Sequence, residues 1–407
     1  MKYFSHTDVS LFIPGSFSRW ISILMLSLAA IVFVTAELLP IGVLTEIGET
    51  YNESAGSIGL IVTGYAWVVA ISAVFITSLL IGVERKRLLL ILLLAFSISN
   101  LIVSQTSDLF VLYFGRIIGA FAHGVFWSIV GPMAVKIVPQ GGKSRAMAIV
   151  FGGIAIASVI AVPLGTFISQ KVGWQLAFLW LAISSLMIMF VIIYTMPTMQ
   201  LEKNDKDTSL LGLLTRPYLR RLFPVTALAI CGHFCAFTYI GPILEDAVYI
   251  PHDHLPLFLL SFGIFGVIGN VLSGLIPDKK LVFFTLCSFV LMVISIVLLT
   301  YFSKNRVILS YLFVGLWGMG VCLITVTLQS IVLNLAPDAG ERASSIHVAM
   351  FNTGIGSGAF IGGVIINYWG AGITAIAGSV LFLVAFFILL PLLRIYSTSS
   401  ITETSKF

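Results

Sequence analysis

Charge is what this sequence has least of: lysine, arginine, aspartate and glutamate make up 10% of its 407 residues, against 59% hydrophobic. With a mean hydropathy of +1.09, a water-soluble globule is excluded, because too little polar surface exists to cover such a core. Cysteine is sparse as well. Cys231, Cys235, Cys287 and Cys322 all fall in apolar runs, so neither a disulfide framework nor a zinc pattern follows. Cys231 and Cys235 share a helix face and read as core. No nucleophile elbow or HExxH-type motif occurs, so no enzyme is expected. Gly141, Gly142, Lys143 and Ser144 end like a phosphate-binding loop, yet Ile137 stands where that loop needs glycine. ATP bound here is therefore not the energy source, and no cofactor is expected beyond an ion gradient.

What is present is long apolar runs. A bilayer core about 30 Å thick needs roughly 20 apolar residues per helix, and such runs fall at 20–43, 56–82, 88–104, 109–135, 146–170 and 174–196. After a polar stretch they resume at 222–248, 256–276, 281–302, 307–335, 346–367 and 372–394. These are numbered spans 1 to 12. The first nineteen residues lack the apolar core and cleavage site of a signal peptide, so span 1 is expected to be retained. The fold class expected is an all-α integral membrane protein of twelve transmembrane helices in two six-helix pseudo-repeat bundles. Its domains are a tail over 1–19, a bundle over 20–196, a linker over 197–221, a second bundle over 222–394 and a tail over 395–407.

The repeat is weak but visible. PQGGKSRAMAIVFGGI begins at Pro139 and PDAGERASSIHVAMFNTGI at Pro337, while Pro40 near the end of span 1 answers to Pro242 near the end of span 7. Two such halves imply a substrate site at their interface near mid-membrane. Basic residues set the orientation, since cytoplasmic loops carry the excess of lysine and arginine. Placing both termini and the linker inside assigns eighteen of the 22 basic residues to the cytoplasm, leaving Lys171, Lys304 and Arg306 outside and Arg116 within span 4. The net charge of +5 thus reflects topology, and no continuous basic surface supports a nucleic-acid partner. The partners expected are a small-molecule substrate, protons and the lipid bilayer, with the monomer as the working unit.

Ionisable groups at membrane depth cost about 2.5 kcal/mol or more and mark pathways or relays. Glu37 is the acidic residue clearly inside a span, and Arg116 its basic counterpart; Glu245 and Asp246 sit near the end of span 7. At 1.5 Å per residue, Glu37 and Arg116 both lie ~10 Å below the outer surface, where they are placed to pair. Two turns beyond Arg116 comes His123, able to relay a proton or bond a substrate hydroxyl. Glu37, Arg116 and His123 are the proton-coupling candidates, against the plainer reading of an ion pair that locks spans 1 and 4 together. Further in-span polar and aromatic residues include Tyr65, Trp67, Trp127, His233, Tyr239, Asn270, Gln329, His347 and Asn352. A sugar site needs aromatic faces to stack on and amides or histidines to bond hydroxyls, so Trp127, His233, Tyr239, Gln329 and Asn352 are the cavity candidates. Packing and interfacial roles are the alternative for each.

Two six-helix halves, a basic linker and the run GRIIGAFAHG in span 4 resemble the major facilitator superfamily over nearly the whole chain. AELLPIGVLTEI in span 1, GYAWVVA in span 2 followed by VERKRLLL, GRIIGAFAHGVFWSI in span 4, Gln329 with LNLAPDA, and FNTGIGSGAFIGG in span 11 are similar to bacterial sugar efflux transporters of the SotB type. The resemblance implies export of sugars or sugar-like solutes across a bacterial inner membrane, by alternating access coupled to proton antiport. Multidrug or metabolite (for example purine) efflux on the same fold is the alternative. By position, Arg116 matches the arginine of the family's motif B, and Glu37 sits where relatives carry an acidic residue. The loop after span 2 departs from motif A, keeping only Arg85, Lys86 and Arg87; a better copy is Gly274 to Asp278 after span 8. Pro163 and Gly165 remain of the antiporter motif in span 5, with Ala161 and Val162 where glycine is expected. These are the gating candidates.

Overall fold

A backbone in lipid finds no water to bond, so each N–H and C=O must be satisfied within its own helix. The computed structural model describes residues 16–402 apart from 77–78, 81, 139–142, 200–209 and 337, and among them there is no strand. The tail over 1–15, Gly141 and Gly142, residues 200–209 of the linker and residues 403–407 lie outside the described residues. Spans 1 to 6 are built on helices Ser16–Gly42, Ala55–Ile71, Arg85–Gln105, Leu109–Ile137, Lys143–Ile156 continued by Val162–Val172, and Trp174–Thr195. Spans 7 to 12 are Leu219–Phe237 with Ile240–Pro242, Leu255–Gly274, Leu281–Phe302, Val307–Leu335, Gly340–Trp369 and Ala371–Thr402. Among the described residues eleven helices are long and apolar enough to cross a membrane, and the broken seventh, taken as one span, makes the twelfth.

Local sequence explains the boundaries. Asp108 caps span 4 by accepting from the amides of Phe110 (2.7 Å) and Val111 (3.1 Å), and Ser54 caps span 2 by accepting from Ser57. Gly173, between spans 5 and 6, and Gly370, between spans 11 and 12, have φ of 97° and 84°, which glycine adopts without a Cβ penalty. They stand 197 positions apart, nearly the offset of the Pro139 and Pro337 loops. Span 7 departs from the single run over 222–248. Its two parts, Leu219–Phe237 and Ile240–Ala247, meet at 57°, because Pro242 withholds the amide that would have bonded the Thr238 carbonyl.

Within the first half span 3 packs on spans 4 and 6, and span 1 on spans 5 and 6; within the second, span 9 packs on span 10 and span 7 on spans 11 and 12. The halves meet where span 2 lies along span 11 and span 5 lies along span 8, two contacts that the repeat exchanges. Small residues allow the approach. A Cβ on Gly263 would stand 2.7 Å from the Ser158 carbonyl oxygen. The Gly56 amide donates across the interface to Asn367 Oδ1 (3.2 Å). Gly56, Gln170, His252 and Asn367 all belong to the end of the bundle opposite the linker, called here the far end. The halves are therefore closed against each other at that end.

Candidate functional site

Span 1 carries Pro40 inside its helix. Proline has no N–H, so the Ala36 carbonyl, four residues back, loses its helical donor. Arg116 supplies the replacement: its Nη1 donates to the Ala36 oxygen at 2.8 Å. The guanidinium lies 4.1 Å from the Tyr65 ring centroid and 5.7 Å from that of Phe178, a cation–π arrangement worth most where water is excluded. Its Nε and Nη2 have no hydrogen-bond partner. The expectation that Arg116 pairs with Glu37 is corrected: no ion pair joins them among the described residues, because the guanidinium is committed to the carbonyl that Pro40 frees.

Glu37, the next residue along, faces His123 instead, with Oε2 at 3.7 Å from Nε2. The His123 side chain is 1% exposed, whereas that of Glu37 keeps 15%, so the carboxylate reaches toward solvent and the imidazole does not. His123 is held on two sides. Its Nδ1 lies 2.8 Å from the Tyr65 hydroxyl, and the Trp127 indole N–H donates to Nε2 at 2.5 Å. Indole nitrogen can only donate, so Nε2 accepts and the ring carries its proton on Nδ1, donated to Tyr65. Phe33 closes the box edge-on, 5.4 Å away. Trp127 itself is half-buried and sits by Phe126 and Phe151, with centroids 5.4 and 5.8 Å off. A carboxylate, an imidazole, a phenol and an indole on spans 1, 2 and 4 thus form one connected polar group.

The second half repeats the indole–imidazole motif. Trp317 Nε1 donates to His233 Nδ1 (3.1 Å), and His233 stacks on Phe237 and Phe262. The other cavity candidates scatter. Gln329 Nε2 donates to Ser344 Oγ (3.0 Å), joining spans 10 and 11, and Asn352 is buried with Nδ2 bonded back to the Val348 carbonyl. Tyr239 does not line an open cavity: it is fully buried against Gly59 and Gly363 at the contact between the halves, donating to the Ala359 carbonyl (2.7 Å). Gly165 packs on Leu39, and Pro163 sits buried in the first turn of Val162–Val172. Arg85 reaches the Leu80 carbonyl (3.5 Å), and Lys86 binds the Ile193 and Met196 carbonyls at the end of span 6 (2.9 and 2.7 Å). The Arg87 amide donates to Glu84, which caps span 3. Gly274 and Asp278 are exposed at the linker end.

Sequence reading missed Trp317 as a partner of His233, and Glu46, Glu245 and His252 as a cluster at the far end. Glu46 and His252 are 206 residues apart, and one sequence carries no signal for such a contact.

A family model described as Major Facilitator Superfamily matches residues 24–346. The chain is 33% identical to a "Probable sugar efflux transporter" of Helicobacter acinonychis (strain Sheeba) over 365 residues, covering 90% of this chain and 93% of the relative. It is 32% identical over the same shares to the protein of that name in Helicobacter pylori (strain G27). Among solved structures, a mutant of the nucleoside transporter NupG superposes with a TM-score of 0.73 at 12% identity, over 92% of this chain and 99% of that one. A bacterial homologue of the human lysosomal transporter Spinster, inward-facing and unoccupied, gives 0.71 at 12%, over 95% and 97%. These two likenesses concern the fold. The chain belongs to the major facilitator superfamily and is a membrane transporter rather than an enzyme.

Proposed function

We propose that the protein exports sugars or sugar-like solutes by alternating access, exchanging them for protons that enter through Glu37. The linker end faces the cytoplasm of a bacterial cell and the far end faces outward, as the distribution of lysine and arginine supports. What carries the reading is Glu37, a partly accessible carboxylate on span 1 held against the His123–Tyr65–Trp127 group of spans 2 and 4. The names of the curated relatives point to sugar as the class of cargo.

The geometry gives exchange a route. While Trp127 donates to His123 Nε2, that nitrogen cannot take a proton from Glu37. A sugar arriving from the cytoplasm draws the indole N–H onto a hydroxyl and its face onto a pyranose ring. Once the indole has moved off, His123 Nε2 is uncovered: it takes the Glu37 proton and gives it to water on the open side. Substrate binding and proton release are thereby opposed through one side chain, as antiport demands. The test is transport in vesicles of known orientation, offering arabinose, thiogalactosides, dyes and purines with and without a pH gradient. Sugar accumulation that needs the gradient supports the reading; gradient-driven movement of dyes or purines but not sugars would overturn the assignment of cargo.

A further inference from the structure

A second ionisable cluster lies at the far end, away from Glu37. Glu46 belongs to the short helix Leu44–Tyr51 of the first half. His252 opens the turn His252–His254 before span 8 and Glu245 lies in the last turn of span 7, both in the second half. His252 Nε2 lies 3.0 Å from Glu46 Oε1, and Nδ1 bonds Glu245 Oε1. From the first half, Gln170 Nε2 also donates to the His252 carbonyl (3.1 Å). One residue of the second half is thus gripped twice by the first. The second Glu46 oxygen is buried without a partner.

The stoichiometry of protons follows from the bonding. A neutral imidazole has one N–H and one lone pair, and a carboxylate only accepts. Two carboxylates on the two ring nitrogens therefore require one proton more than neutral histidine and two carboxylates supply. The ionisable groups facing the ring are Glu46 on the short helix and Glu245 on span 7; span 5 offers the uncharged Gln170, and on the His252 turn His254 is turned to the Tyr311 hydroxyl (2.9 Å).

We propose that Glu46, His252 and Glu245 form a proton-operated latch that holds the far ends of the two halves together. The proposal rests on the alternating-access reading above. Opening the far end carries Glu46 away from His252 while Glu245 stays with it, so the closed state binds the extra proton more tightly. Acid outside favours closure, and that advantage is lost as pH rises through the ionisation of the closed state. The latch proton comes from the outer solution and returns to it on opening; it is not carried across. In an importer of protons the sign is productive, since an acidic exterior shuts the far end and commits the protein to release protons inward.

The test uses the full chain with Cys287→Ser, reconstituted in lipid nanodiscs and spin-labelled at Ser107→Cys and Tyr368→Cys, exposed far-end sites on opposite halves. Distances between the labels are measured at a series of pH values. Between about pH 6 and about pH 9 the closed-to-open ratio should fall by up to about tenfold per unit. Glu46→Gln and His252→Gln, checked for monodispersity, should each flatten that dependence. Two distances whose pH dependence survives in both latch variants would overturn the latch and leave alternating access standing. One unchanging distance in every variant, at every pH and with sugar present, would overturn both.

Discussion

Arg116 is the donor that Pro40 makes necessary, and a double-mutant cycle between the two positions isolates that claim. In the wild-type chain, Arg116→Ala removes a charge-assisted hydrogen bond worth about 1.5–3 kcal/mol and orphans the Ala36 carbonyl at about 1–3 kcal/mol. It also removes the contact with the Tyr65 face, worth about 2 kcal/mol when desolvated. With Pro40→Ala, the backbone gains an N–H at that position, which completes the helical bond to the Ala36 carbonyl, so the orphan no longer appears when Arg116 is cut away. The cavity and the ring contact are lost in either background and cancel in the cycle. Polar pairs between membrane helices average only about 0.6 kcal/mol by such cycles, with a maximum near about 1.7 kcal/mol, so about 1 kcal/mol is the coupling expected. The assay is reversible unfolding in mixed micelles, followed by tryptophan fluorescence, for the wild type, both single variants and the double variant. Stabilities additive to within about 0.5 kcal/mol would refute the reasoning, and Arg116 would then owe its burial to another partner.

Glu37→Gln should fold, because the amide keeps the shape of the side chain, and should lose efflux driven by a pH gradient in vesicles; wild-type efflux would make Glu37 structural. Trp127→Phe keeps an aromatic face but removes the N–H that occupies His123 Nε2, so proton leak without substrate should rise several-fold in a pH-dye assay, whereas His123→Ala should abolish both leak and exchange. At the linker end Arg216 clasps Asp338 through two bonds of 2.8 and 2.6 Å, a contact that pulls the Asp338 carboxyl down to about 2. A depressed carboxylate contributes at all pH above its unfolded value and is lost only as pH falls through the folded one. Hydrogen-exchange protection at the start of span 11, taken relative to the intrinsic rate at each pH, should therefore match at about pH 5 and about pH 8, and fall in Asp338→Asn at both.

How much was legible in the sequence follows from where the information lies. The all-helical fold and the number of spans are set by local hydropathy and by helical rise, which any stretch of chain reveals by itself. The partner of Arg116 was not, although both clues were present. Pro40 sits three residues past Glu37 in a span that must satisfy every carbonyl, and asking which carbonyl it strands would have pointed to Ala36 before any charge pairing was considered. Charge complementarity alone led to Glu37, because it treats a buried arginine as half of an ion pair and overlooks the backbone as an acceptor. Span 7 misled for the same reason in reverse: hydropathy runs on through Tyr239, while the bend arises from the amide Pro242 lacks.

The far-end cluster was illegible for a different reason. Glu46, Glu245 and His252 lie at helix ends, where an ionisable side chain ordinarily meets water at little cost and carries no message. Only the packing of the two halves against each other turns them into a half-buried bridge, and in the alternating-access cycle proposed above that packing belongs to one state. Residues whose partners exist in a single state of the cycle leave no periodicity to detect. Their function is nonetheless bound to that property, since a contact present in one state and absent in the other is what lets a proton bias the equilibrium between them.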